Sequence, residues 1–476
     1  MADGAMRRAR ANERQRSPRP LVRRRLASGR GAMEQPNMTS DGQAALTPMF
    51  WLMIAATGVA CGLFGDLMMA ILFRAQHLAF GYHTGTFEAG VEHAAASRRV
   101  ISLLVAGAFG GVAWFLLRRY TKGERSEIDD AIWNGDGRLS FRRCLGTSVI
   151  SEVVIGMGAS IGREAAPKLM GGASASVLAR WSHLSRQQRR LLVACGGGAG
   201  LAAVYNVPLG GALFTAEVLW GGISLPVILP ALACSVIATV TAWIYLPAHA
   251  TYVGVPDYHF SASLLVWALL AGPLIGVISV GYIRLIGWVS HHQARGRAVL
   301  VAPVAAFGVL GLAGLAYPQL FGNGKDMAHD AFTGASALTL LLALFALKPL
   351  VTALCLGSGA SGGLFTPTLS TGAVLGGAAG IAWSLAWPGS PAGAYAVVGA
   401  AAMLGAAMQA PLAGLALVLE LTHSGFGLMI PMAAATVAAT VVARQVDGYS
   451  IYTARLRAHP GAAPGQEGPR LAQTAA

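Results

Sequence analysis

Gly156–Gly172 reads GMGASIGREAAPKLMGG. It places Arg163, Glu164 and Lys168 inside a long apolar region and surrounds them with glycine. Holding an ionised carboxylate away from water costs several kcal/mol or more, so a membrane chain keeps one where it lines a wet pathway or has a partner. Glycines on both sides let the backbone break or approach a ligand closely. The stretch therefore reads as an irregular, polar point at membrane depth, which is tolerated only against protein or a water-filled cavity.

The rest of the composition supports that setting. Of 476 residues 54% are hydrophobic and 12% charged, with a mean hydropathy of +0.55, against about 25% charged in an ordinary soluble domain. Apolar runs of roughly 20 residues, each enough to cross a bilayer, recur from Leu46 to Ala443. The first span is expected at Leu46–Leu72, followed by a polar loop from Ala75 to Arg98, and the second at Val100–Leu117. The fold class is an all-α polytopic membrane protein.

The net charge of +14 does not point to nucleic acid, because residues 1–30 hold ten arginines against two acids. A disordered basic tail over 1–45 on the cytoplasmic side obeys the positive-inside rule. A second polar tail is expected over 457–476. The cysteines (Cys61, Cys144, Cys195, Cys234, Cys355) are scattered and read as small apolar residues. Neither they nor the histidines have metal-ligand spacing, and no cofactor or metal is expected. There is no GxSxG, zinc or P-loop pattern, so an enzyme is not expected.

From Leu145 to Trp220, and again after Gly357, the apolar segments are short and interrupted by glycine and proline. Such segments in corresponding places of two halves point to a transport site. Asn206-Val-Pro-Leu-Gly-Gly with Glu217 matches Gln409-Ala-Pro-Leu-Ala-Gly with Glu420, and Gly162–Gly171 matches Gly363–Gly372. The two matches occur in the same order at nearly one offset. They imply an inverted repeat, with repeat 1 at about 46–246 and repeat 2 at about 263–456, built from tilted, broken helices. Helix N-termini meeting near the midplane would present unpaired N–H groups and partial positive charge, which is an anion site without a full charge. Partial charges let a small anion enter and leave, whereas a buried Lys or Arg would hold it tightly. Glu164 could occupy an anion position with its own carboxylate and act as a gate, a proton carrier or both. A structural ion pair with Arg163 or another base is the competing reading.

At these residues the chain resembles the chloride channel (CLC) family of channels and anion/proton exchangers, over about Leu46 to Leu456. Gly162-Arg-Glu164 resembles the family's GREGP motif, although it continues Ala165-Ala166. Gly362-Gly-Leu-Phe-Thr-Pro367 is similar to GxFxP. Tyr449-Ser-Ile-Tyr-Thr-Ala-Arg455 looks like the segment that supplies an anion-coordinating tyrosine. The resemblance implies a homodimer in the inner membrane, multi-pass, with both termini cytoplasmic and one chloride pathway per subunit. It implies Glu164 as the gate and Leu364, Phe365 and Tyr449 as anion-binding residues, with Tyr452 a rival to Tyr449. Gly123, in Lys122-Gly-Glu-Arg-Ser-Glu-Ile128, takes the place of the usual selectivity serine or proline.

Exchangers of the family often carry two adjacent glutamates as an inner proton station. Here Glu217 matches the first and Val218 replaces the second. Glu217 and Glu152 are the candidate proton pathway, although the family pattern does not predict Glu152, and a helix-interface or cavity-facing role without proton transport is its competing reading. Because valine carries no proton, the expectation is a voltage- or pH-gated anion channel conducting passively. Chloride/proton or fluoride/proton antiport is the alternative, and a transporter of another inverted-repeat family is more distant.

Overall fold

The structure, a computed structural model, describes residues 46–456, so both expected tails, 1–45 and 457–476, lie outside the described residues. Among the described residues there are seventeen α-helices, and the β-type pairing is a single bridge between Gly162 and Gly363. Seven helical segments are long and apolar enough to cross a membrane: Pro48–Phe80, Ala96–Tyr120, Leu225–Ala242, Ala262–His291, Gly296–Ala316, Leu338–Gly357 and Phe426–Val446. Their outward faces carry exposed leucines and valines such as Leu52, Leu63, Leu270 and Val309, as expected of surfaces solvated by lipid. The protein is a multi-pass membrane protein.

The first helix is longer than the hydropathy of its sequence suggests. It runs past Leu72 to Phe80 through Gln76 and His77. Its last carbonyls are satisfied from outside the helix, because the Arg98 guanidinium donates to Ala79 O at 2.8 Å and to Leu78 O at 3.0 Å. A helix end with such partners can continue through polar residues. The expected polar loop from Ala75 to Arg98 is correspondingly shorter and contains a helix of its own, Phe87–His93.

Between the long helices lie shorter ones, Phe141–Gly156, Ala165–Trp181, Arg186–Tyr205 and Pro208–Phe214 in the first half of the chain. Phe365–Ser384, Ala392–Met408 and Pro411–Thr422 follow in the second. They cross at small residues. A Cβ on Gly171 would run into the Gly196 carbonyl, and one on Gly196 would meet the Gly171 carbonyl. This close approach is what small residues allow where helices meet in a membrane. In both halves a left-handed residue ends one helix and a proline starts the next. Asn206 (φ 57°) precedes Pro208, and Gln409 (φ 56°) precedes Pro411. The left-handed cap turns the chain, and the proline tolerates the missing hydrogen bond of a first turn.

Lys348, inside the Leu338–Gly357 helix, is fully buried. Its ammonium donates to Ser160 Oγ at 2.9 Å and to the Gly322 and Leu320 carbonyls at 2.9 and 3.4 Å. Three acceptors match its three donors. They tie the loop before Glu164 to the segment before the Lys325–Thr333 helix.

Candidate functional site

Two helices start at nearly the same place. Ala165–Trp181 begins after Glu164, and Phe365–Ser384 begins after Leu364. The loops leading into them clasp each other. Gly162 N–H donates to Gly363 O at 2.8 Å, and Gly363 N–H donates to Gly162 O at 2.7 Å. The two stretches matched as repeats in the sequence are thus in direct contact, each the other's partner.

Glu164 lies in this clasp and is 3% exposed. Its Oε1 accepts from the Phe365 backbone N–H at 2.7 Å. Its Oε2 accepts from Thr366 Oγ1 at 3.2 Å and from the Tyr205 hydroxyl at 3.3 Å, and those two hydroxyls lie 2.6 Å apart. A Cβ on Gly162 or on Gly363 would collide with the carboxylate, so both positions need glycine for Glu164 to reach its seat. A carboxylate held by a helix N-terminal N–H occupies the position where such N–H groups bind free anions. Hydrogen bonds to a charged group contribute about 1.5–3 kcal/mol each, strong enough to hold a side chain and weak enough for protonation or a competing anion to release it.

The ion-pair reading of Glu164 is not what the geometry gives. Four ion pairs are found among the described residues, and none includes Arg163, Glu164 or Lys168. Arg163 instead lays its guanidinium over the Tyr205 ring, 5.2 Å from the centroid. Lys168 places its ammonium 4.7 Å from the Tyr452 ring centroid and 5.8 Å from that of Phe214.

The other residues singled out from sequence fall into distinct places. Leu364 and Phe365 are buried at the start of their helix, and the Phe365 N–H is the one that meets Glu164. Tyr449 is half-buried against the core. Tyr452 is 9% exposed, packs edge-on against Phe214 at 5.8 Å and faces Lys168. Gly123 is exposed in a left-handed turn (φ 82°) with open space around it. Ser126, nearby, accepts from Arg143 Nε at 3.1 Å.

Glu217 caps a helix of the other half, accepting from Ala413 N–H at 2.6 Å and Leu412 N–H at 3.4 Å. Glu420 returns the same arrangement to Gly210 N–H at 2.6 Å and Leu209 N–H at 3.0 Å. Glu152 is completely buried, and neither of its oxygens has a hydrogen-bond partner among the described residues. Tyr205 and Thr366 were not singled out. The signal for Tyr205 was available: it is the one hydroxyl in the last turn of the helix Arg186–Tyr205, directly before Asn206.

A cavity of about 250 Å³ reaches Arg163 between the first helix and the Lys325–Thr333 helix, lined also by Gln76, His77, Glu88, Lys325 and Asp326. Two of its groups lie outside the membrane-spanning helices and have displaced ionisation. Burial, then the negative charges of Asp330 and Asp326, push the Glu88 carboxyl up to about 8. Burial, then the positive charge of Arg163, push the Lys325 ammonium down to about 8. The cavity thus combines the permanent charge of Arg163 with two groups that change charge close to neutrality.

The sequence and the fold have counterparts among known proteins. The sequence profile described as "Voltage gated chloride channel" matches residues 106–444, well over half of the chain. The H(+)/Cl(-) exchange transporter ClcA of Vibrio campbellii is 28% identical over 366 residues, covering 74% of this chain and 78% of that protein. The protein of the same name from Vibrio parahaemolyticus is 31% identical over 309 residues, covering 63% and 66%. Among solved structures, a slow cyanobacterial Cl-/H+ antiporter superposes with a TM-score of 0.75 at 22% identity, covering 86% of this chain and 97% of that one. A CLC-type fluoride/proton antiporter superposes at 0.69 with 20% identity, covering 85% and 97%.

Proposed function

This chain belongs to the voltage gated chloride channel (CLC) family, and we propose that it exchanges chloride for protons across the membrane. The observation that carries this reading is the Glu164 carboxylate on the Phe365 amide, 2.7 Å away. One seat cannot hold the carboxylate and a chloride ion at once. A proton that neutralises Glu164 weakens its hold on the helix N-terminus, and an arriving anion then takes the vacated donors. Proton uptake and anion entry thereby become steps of one cycle.

Sequence alone puts passive conduction first, because Val218 stands where an inner glutamate is expected. The relatives named as exchange transporters support the opposite order. For the inner leg of the proton route, Glu152 is the stronger candidate of the two acids. Both of its oxygens are unpartnered among the described residues, whereas those of Glu217 are occupied by backbone donors. The resemblance to the family further supports a homodimer in the inner membrane with both termini on the cytoplasmic side.

The test is flux through liposomes containing the full chain under a chloride gradient without an opposing proton gradient. Exchange drives protons uphill as chloride runs down. Chloride movement with no proton movement would establish conduction instead, the reading that Val218 favours.

A further inference from the structure

Lys168 is the one full charge in the first turns of the helix that begins at the gate, one turn beyond Glu164; Arg180 lies at the far end of that helix. Residues four apart on a helix lie on the same face, so the ammonium stands on the Glu164 side of the Ala165–Trp181 helix. It is half-buried and has neither a carboxylate partner nor a side-chain hydrogen bond among the described residues. Two aromatic faces receive it, Tyr452 at 4.7 Å and Phe214 at 5.8 Å, and these rings pack edge-on against each other. Glu164, four residues before it, closes no ion pair with Lys168. Aromatic faces stabilise an ammonium without neutralising it. Phe214 is itself four residues before Val218, the position that lacks a carboxylate.

We propose that Lys168 is a rate- and affinity-setting residue: its charge, closed into no ion pair, holds the transported anion beside the gate and slows its departure. The proposal rests on the anion-transport reading given above. A site made of helix N-termini offers partial charges, from which an anion leaves easily. A whole charge within reach of the same anion deepens the well, so the half-saturating concentration and the maximal rate both fall. From then on the residue acts as a brake on turnover as well as an anchor for the anion.

The experiment is chloride flux against chloride concentration in liposomes, comparing wild type with Lys168→Met and Lys168→Arg. Methionine keeps an unbranched apolar stem and removes the charge, whereas arginine keeps the charge. A unit charge at the distance of a neighbouring site, in a partly screened setting, corresponds to roughly a tenfold change in affinity. The expected result for Lys168→Met is a half-saturating chloride concentration raised about tenfold with a maximal rate raised severalfold, and Lys168→Arg close to wild type. A purely structural lysine would give the other pattern, a lower maximal rate with unchanged half-saturation, and that pattern overturns the proposal, as does no change in either quantity. Lys168→Gln serves as a second neutral variant. If neither neutral variant reconstitutes as folded protein, the charge is structural and the proposal fails. Wild-type liposomes that carry no chloride overturn the transport reading itself, a result distinct from any behaviour of the variants.

Discussion

Gly162–Lys168 and Gly363–Leu369 each lead from the clasp into a helix, yet only the first carries charge. Each has a glycine in the clasp, a helix start two or three residues later, and a partner in the other. Where the first stretch has Glu164, the second has Phe365 and offers its bare N–H, and where the first has Lys168, the second has Leu369. The pair Glu217 and Glu420 is different: both sides keep the acid, and each caps the other's helix. Equivalent backbone with equivalent side chains builds the scaffold. Equivalent backbone with unlike side chains places a donor opposite an acceptor, and there the chemistry resides.

The largest expected effect comes from erasing the unlike pair. Glu164→Gln removes the charge and the proton site while keeping the shape. Uphill proton movement should disappear, and chloride flux should lose its dependence on pH. Flux that keeps its pH dependence in folded protein would remove Glu164 from the gate. Next in size is Gly363→Ala. The added methyl collides with the Glu164 carboxylate, a clash of the overpacking kind that costs about 1–3 kcal/mol, and pushes the side chain off its seat. Chloride efflux at neutral pH should rise severalfold. In a Glu164→Ala background the same substitution should change efflux little, because the colliding group is gone. Additive effects in that double-mutant comparison would show that Gly363 matters for another reason.

The smallest effects come from the like pair. Glu217→Gln and Glu420→Gln each weaken two hydrogen bonds to a charged acceptor, a loss of about 1–2 kcal/mol, readable as matched falls in thermal stability in detergent. Coupling should be the same in both variants. If Glu217→Gln alone abolished uphill proton movement, the two caps would not be equivalent after all, and Glu217 would join the proton route.

Much of this was legible in the chain. The repeat announced itself as PLxG with a following glutamate, and as glycines 201 residues apart, because a clasp needs glycine on both sides for steric reasons. Glu164 stood out because an acid in an apolar run is costly. What could not be read were contacts that depend on convergence. Tyr205 and Thr366 reach Glu164 from 41 and 202 residues away, and ordinary hydroxyl residues carry no pattern that says where they point. Lys168 against Tyr452 is of the same kind, and so is the difference in burial between Tyr452 and Tyr449. The first helix outran its hydropathy because its end is capped by Arg98, a residue of the helix Ala96–Tyr120.

The clasp between Gly162 and Gly363 also constrains how the protein can move. Two short backbone hydrogen bonds fix the distance from the root of the Glu164 side chain to its seat on Phe365. A transporter that rocks one half against the other would have to break both at each cycle. Here the two halves are pinned beside Glu164. On the exchange reading proposed above, the working stroke is then the length of one glutamate side chain, swinging about its own Cα within a frame held by the clasp.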